Sequence, residues 1–322
     1  MVNKNKVSLF LRFAISFGLL SLLFWIMRSD IGKVIGILKN SNKIYFTLAL
    51  LICLLTSLGA SFRLRILMSG QKIFLSLKDA FYLTFIGYFF NNFFPTAIGG
   101  DIAKAYYASR KTNNKAASYA AVLADRLVGL LSCLSIAIIG IIFVGRDFGN
   151  SNIMWAVALM FVLSIVLFLF VLNKKIDPGL TAVRKKGILN KIKEKFLKLY
   201  AAINFYKHDR PLLVKSYLLA VFMQAGAVVS IYFFILCIGG GIHLLKLFLI
   251  IPLVWAVSML PSLNGLGVRE GAFVYFLKGD IGAESAFSIS ILWLGMIIIY
   301  SVIGGILHLA YPIKVQVKGD VS

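Results

Sequence analysis

Asn91-Asn92-Phe93-Phe94-Pro95-Thr96-Ala97-Ile98-Gly99-Gly100-Asp101 and Pro261-Ser262-Leu263-Asn264-Gly265-Leu266-Gly267-Val268-Arg269-Glu270 are the two places where a short apolar run breaks down into proline and glycine. Phe94–Gly99 and Leu260–Gly265 match at an offset of 166 residues. Proline removes a backbone donor and glycine relaxes the backbone, so a helix is interrupted at each point. At membrane depth such an interruption is tolerated only where it is buried in protein or lines a wet cavity. Everything outward from these two breaks is membrane-like.

Hydrophobic residues make up 60% of the 322 residues and charged ones 14%, with a mean hydropathy of +0.90. A soluble chain carries roughly 25% charged residues. The apolar residues fall into eight runs: Leu9–Met27, Ile44–Phe62, Ala80–Phe94, Ala116–Val144, Ile153–Leu172, Leu212–Ile238, Lys246–Leu260 and Ser285–Pro312. A crossing helix needs about 20 apolar residues. Six runs reach that length, and the two that do not, Ala80–Phe94 and Lys246–Leu260, are those that lead into the breaks. The runs are continuous rather than alternating, which predicts helices. Ile26-Met27-Arg28-Ser29-Asp30 offers no small-residue cleavage site, so the first run reads as a retained anchor.

Cytoplasmic loops carry the excess of Lys and Arg. Placing 1–12, 63–79, 102–115, 173–215 and 313–322 inside gives them 25 of the 34 basic residues, with both termini cytoplasmic. The loop at 28–43 is the one poor fit. Basic residues flank Ala80–Phe94 on both sides, which predicts a re-entrant segment that enters and returns; Lys246–Leu260 would re-enter from the other face. At the same offset the spans near 44–62 and 116–144 fall on 210–228 and 282–310, both hydrophobic. The expectation is an all-α polytopic membrane protein, about six full spans plus two re-entrant segments, arranged as an inverted repeat in a single domain over 1–322. Repeat one covers about 44–144, a linking span 153–172, a basic cytoplasmic loop 173–211, and repeat two about 212–312. Paired broken segments in inverted repeats point to a binding site near the midplane.

In the basic loop, Leu189, Ile192, Phe196, Leu199, Ile203 and Tyr206 recur at helical spacing opposite Lys191, Lys193, Glu194, Lys195 and Lys198. That pattern predicts an amphipathic helix on an anionic leaflet. The net charge of +22 does not indicate nucleic acid, because the basic residues sit between spans with no interleaved aromatic patch. Cys53, Cys133 and Cys237 fall inside spans and read as packing residues. Neither they nor His208, His243 and His308 have metal-ligand spacing. No P-loop occurs, and Gly265-x-Gly267 follows no strand, so no cofactor is expected.

Three acids interrupt or end apolar runs: Asp101, Asp125 and Glu270. An ionised residue in a span is costly and faces a partner or a cavity. Neighbouring side chains of a helix diverge by about 100°, so Asp125-Arg126 and Arg269-Glu270 are each expected to pair with other helices. The candidate head-group site comprises Asn91, Asn92, Pro95, Gly99, Gly100, Asp101, Asp125, Arg126, Pro261, Asn264, Gly265, Gly267, Arg269 and Glu270. Freed amides at the breaks would add anion-binding donors.

Asn92-Phe93-Phe94-Pro95 leading to Gly99-Gly100-Asp101, then Ala124-Asp125-Arg126, then Pro261 with Gly265, Gly267 and Glu270, resembles the membrane region of lysylphosphatidylglycerol synthetases, a flippase-like integral membrane family. The resemblance covers roughly residues 8–312. It implies a lipid-translocating domain of the bacterial inner membrane. Bifunctional members carry a soluble aminoacyl-transferase domain after the spans, which is expected to be missing here. The expected function is flipping of a phospholipid or lipid-linked head group without enzymatic activity. The alternatives are an intramembrane transferase acting on a lipid-linked sugar or phosphate, and a scaffold of an envelope assembly complex. The expected partners are membrane lipids, either anionic phospholipid or polyprenyl-linked glycan; a separate lipid-modifying enzyme and a second copy of the chain are further candidates.

Overall fold

A computed structural model of the chain describes residues 21, 25, 31–93, 99–112, 114–145, 151–173, 204–260, 262 and 264–310. Among them the regular structure is helical: α1 Ile31–Lys39, α2 Lys43–Gly70, α3 Leu77–Phe93, α4 Gly99–Thr112, α5 Lys115–Val144, α6 Ser151–Asn173, α7 Arg210–Cys237, α8 Leu244–Val257, α9 Val268–Ile281 and α10 Ala283–Ala310, with a 3-10 turn at Phe205–His208. Four of these, α2, α5, α7 and α10, are long and apolar enough to cross a membrane. At 28 to 30 residues they extend about 42–45 Å, more than the hydrocarbon thickness. The expected first span, Leu9–Met27, lies outside the described residues apart from two positions. The run at 153–172 is helix α6, whose described apolar stretch is Met154–Val166.

Local signals start the long helices where they begin. The Asn42 side chain accepts from the Ile44 and Tyr45 amides at 2.9 and 3.4 Å, Asn114 from Ala117 at 3.1 Å, and Asp209 from Leu212 at 3.1 Å, followed by Pro211 in the first turn. Each satisfies an amide that has no partner within its helix.

The two broken runs each continue past the break into a second helix. Each forms an antiparallel pair of helices. In the first, Gly87 packs on Lys104 and Asn91 on Gly100, so α4 runs back along α3. In the second, α9 returns along α8: the Lys246 ammonium meets Asp280 at 2.5 Å at the open end, and Ser258 lies against Gly265 near the tip. This corrects the loop assignments at 102–115, which is largely helix α4, and at 63–79, where α2 continues through Gly70; the segment after the second break is likewise helical, as α9. The returning halves read as loops because Gly-Gly-Asp-Ile-Ala-Lys-Ala-Tyr-Tyr is too polar to face lipid; its polar groups face protein instead. At 14 to 17 residues the hairpin helices reach only about 21–25 Å.

Long helix, hairpin, long helix therefore occurs twice, with α6 between. The two copies pack across each other. α2 runs against α7, α3 against α10, and α8 against α5. Gly304 in α10 meets the Phe85 carbonyl of α3, where a Cβ would lie 2.1 Å from the oxygen; Gly140 in α5 meets the Leu249 amide nitrogen of α8, where it would lie 2.5 Å away. Phe85 and Leu249 are 164 residues apart, as are Gly140 and Gly304, so the two contacts are reciprocal. Small residues permit this approach. Gly304→Ala and Gly140→Ala should each cost about 1–3 kcal/mol or more, because the clash is with backbone. Gly295→Ala on the same α10 has nothing within 4 Å and should be neutral or stabilising by about 0.5–1 kcal/mol. Thermal unfolding in detergent checks the contrast.

One apolar core joins α2, α5, α7, α8, α9 and α10 around Val228, Ile231, Phe234, Ile250, Phe273 and Ile289. A second joins α2, α3, α4 and α5 around Leu64, Met68, Leu83, Ile86 and Ala121. Outside, Leu51, Leu55 and Phe62 of α2, Leu218 and Phe222 of α7, and Trp155, Leu159 and Leu163 of α6 are exposed. Apolar surface on this scale is the mark of a lipid-facing wall. Of the amphipathic helix expected near 189–206, all but the last residues lie outside the described part. Tyr206 does not lie on a membrane surface: it is buried, its hydroxyl donating to the Leu67 carbonyl at 2.6 Å, and burial pushes that phenol up.

A cavity lined by three arginines

The tips of the two hairpins touch. The Asn264 side-chain amide, in the turn before α9, donates to the Asn92 side-chain oxygen at the end of α3. The turn is built by left-handed backbone at Asn264 (φ 48°) and Gly265 (φ 79°), then at Gly267 (φ 81°), where α9 starts. Glycine takes that conformation without the Cβ penalty, which explains the Asn-Gly-x-Gly spacing. In the first hairpin Asn91 bridges the break, its side-chain oxygen accepting from the Gly100 amide at 2.7 Å. A Cβ on Gly100 would lie 2.1 Å from the Gly87 carbonyl oxygen, so only glycine fits there.

Beside this junction lies a cavity of about 460 Å³. Its walls come from α2, α3, α5, α7, α8, α9 and α10. Three guanidinium side chains line it: Arg63, Arg126 and Arg269. Behind them stand carboxylates. Arg63 Nε donates to Asp125 at 2.7 Å, with the two side chains 14% and 9% exposed. Arg126 meets Asp101 at 3.0 Å, and Asp101 also takes Lys104 at 3.3 Å. Arg269 donates to its neighbour Glu270 through Nη2 at 2.6 Å and Nε at 3.1 Å. The lining is completed by amides (Asn91, Asn264, Gln224), hydroxyls (Thr56, Ser57, Tyr88, Tyr300, Ser258) and the indoles of Trp255 and Trp293.

The expected site residues divide accordingly. Asn91, Arg126, Asn264 and Arg269 line the cavity. Asp101, Asp125 and Glu270 hold its arginines from behind. Asn92 joins the hairpins; Gly99 is buried at the start of α4, and Gly100, Gly265 and Gly267 shape the tips. Pro95 and Pro261 lie outside the described residues.

The expectation of partners on other helices holds for Asp125 and Arg126. It fails for Arg269 and Glu270, which pair with each other. Both sit in the first turn of α9, where Glu270 turns back so that its second oxygen accepts from the Gly267 amide at 2.6 Å. That leaves its first oxygen for the guanidinium, which curls back far enough to reach the Asn264 carbonyl at 3.4 Å. The amides of Gly100 and Gly267 thus already carry acceptors within the chain. Arg63 escapes the candidate set because the apolar run ends at Phe62. Its signal is the apolar surroundings, Phe62-Arg63-Leu64-Arg65-Ile66-Leu67, which continue the helix. Among the described residues no cluster of His, Cys, Asp and Glu is placed to hold a metal ion.

The chain is similar to the UPF0104 membrane protein PH1989 of Pyrococcus horikoshii, 26% identical over 324 residues that cover 90% of this chain and 93% of that protein. No solved structure matches it significantly. Residues 9–305 match the model of the lysylphosphatidylglycerol synthase transmembrane region. With its long apolar helices, this chain is a multi-pass membrane protein that belongs to the lysylphosphatidylglycerol synthase transmembrane-region family.

Proposed function

We propose that the chain carries the head group of a phospholipid or lipid-linked saccharide across the bilayer through the arginine-lined cavity, with the tails left in lipid. One observation carries this reading: three guanidiniums face a single cavity beside the point where the two hairpins touch. A charged head group dragged bare through hydrocarbon would cost many kcal/mol. Ion-paired guanidiniums and side-chain amides replace its hydration shell at depth. The name of the matching family, a lipid synthase membrane region, supports a lipid cargo.

In this reading the hairpins are re-entrant from opposite faces and the two copies form an inverted repeat. The reciprocal contacts of Gly140 and Gly304 support that arrangement, since a two-fold relation exchanges them. Rocking of one copy against the other exposes the cavity to each side in turn. The setting is a bacterial inner membrane with cytoplasmic termini, and the chain acts as a transporter without catalysis. Lipids are its partners, with a separate lipid-modifying enzyme or a second copy of the chain as further ones.

A leaflet-specific assay in vesicles tests the proposal. Purified protein should speed the appearance of anionic phospholipid or short-chain prenyl phosphate in the opposite leaflet by at least tenfold over protein-free vesicles. Equal rates with and without protein, for both lipids, would remove it. Product formed from an activated sugar or phosphate donor would instead favour an intramembrane transferase.

A further inference from the structure

We infer that the cavity is built for an anionic head group with a sugar or polyol attached through phosphate, and against an aminoacylated one. This rests on the cavity being the lipid site.

The charges on its wall are of one sign. Arg63, Arg126 and Arg269 reach the cavity, while no Asp or Glu is among its described lining residues. The nearby carboxylates Asp125, Asp101 and Glu270 lie behind the arginines, each already engaged by a guanidinium. With Lys104 included, four cations face three carboxylates in the ion-paired set, one positive charge in excess. A guanidinium presents a planar fork that fits phosphate oxygens, and it stays charged whatever its surroundings. An aminoacyl lipid adds an ammonium, which would sit among three guanidiniums with no carboxylate among the described lining residues to receive it. The family's name therefore does not describe the cargo that this wall suits.

The uncharged part of the lining points to the group beyond the phosphate. Trp255 of α8 and Trp293 of α10 both line the cavity, their rings tilted by 39° with centroids 6.3 Å apart. Two adjacent indoles in the lining offer apolar ring surface that suits the C–H face of a sugar ring or the carbon chain of a polyol. Gln224, Asn91 and Asn264 supply amides of both polarities for hydroxyls at its rim. An indole also attracts an ammonium, but here that attraction competes with repulsion from the arginines.

The test is calorimetric titration of the purified full chain in detergent with four probes: dioctanoyl phosphatidylglycerol, dioctanoyl lysyl-phosphatidylglycerol, a ten-carbon prenyl phosphate, and the same prenyl phosphate carrying glucose. Phosphatidylglycerol or prenyl phosphoglucose should bind at least tenfold more tightly than the lysylated lipid, and whichever is tighter identifies the source of the head group. Prenyl phosphoglucose should exceed bare prenyl phosphate by at least tenfold, a preference that Trp255→Leu with Trp293→Leu removes. Lysylated lipid binding as tightly as phosphatidylglycerol, or no gain from the glucose in the unmutated chain, would overturn the inference while leaving a lipid site in place. Binding of none of the four would instead overturn the proposed lipid site itself.

Discussion

Replacing Arg63 by Gln should abolish lipid translocation and, separately, destabilise the protein. Its guanidinium lines the cavity and holds Asp125 at 2.7 Å, with both side chains largely buried. Removing one partner of a buried pair leaves an uncompensated charge and costs about 3–5 kcal/mol. Arg63→Gln should therefore unfold at markedly lower temperature in detergent. Adding Asp125→Asn removes the orphaned charge, and the double variant should recover most of that stability. Transport should not recover with it, because the cavity still lacks one of its three guanidiniums. If the double variant regains both stability and transport, Arg63 is a packing residue and the head-group role assigned to it fails.

A similar separation is expected at the second hairpin. Glu270 is fully buried and acts twice, holding Arg269 and accepting from the Gly267 amide. Glu270→Ala removes both interactions. It should cost about 3–5 kcal/mol for the stranded guanidinium and roughly 1–3 more for the unsatisfied amide. Glu270→Gln keeps an acceptor for Gly267 and should be milder by about that last amount. Thermal unfolding of the two variants side by side checks the order. Equal losses would mean that the cap contributes nothing to holding the tip of α9.

The sequence disclosed the helices that face lipid and concealed those that face protein. The runs that begin at 44, 116, 212 and 285 correspond to the long helices α2, α5, α7 and α10, because lipid demands continuous apolar length. The proline and glycine breaks disclosed that the chain is interrupted between α3 and α4 and between α8 and α9. The segment after each break reads as loop in the sequence, since α4 and α9 carry Asp101, Lys104, Arg110, Arg269, Glu270 and Lys278. Asp101 takes Arg126 of α5, and a partner across the fold leaves no trace in local composition; Arg269 and Glu270 pair within their own turn. The same limit explains the site. Asn91, Asn264 and Arg269 are legible as polar residues at the breaks and Arg126 as a charge inside an apolar run, and the structure brings them to one cavity. Arg63, Gln224, Trp255 and Trp293 are not, because nothing in linear order ties them to the breaks. The pairing of Arg269 with Glu270 defies mid-helix geometry; in a first turn the caps bend the side chains back.

Cysteine accessibility tests the paired hairpins most directly. In a background with Cys53, Cys133 and Cys237 replaced by Ala, single cysteines would be placed at Phe74 and Lys115, exposed at the open end of the first hairpin, and at His243 and Gly279, exposed at that of the second. A membrane-impermeant maleimide applied from one side of intact cells or inverted vesicles then reports the compartment of each. Two hairpins entering from opposite faces require Phe74→Cys and Lys115→Cys to label from the cytoplasm, and His243→Cys and Gly279→Cys from outside. Labelling of the first two from different compartments would mean that the chain crosses between them, and the shared cavity would lose its basis.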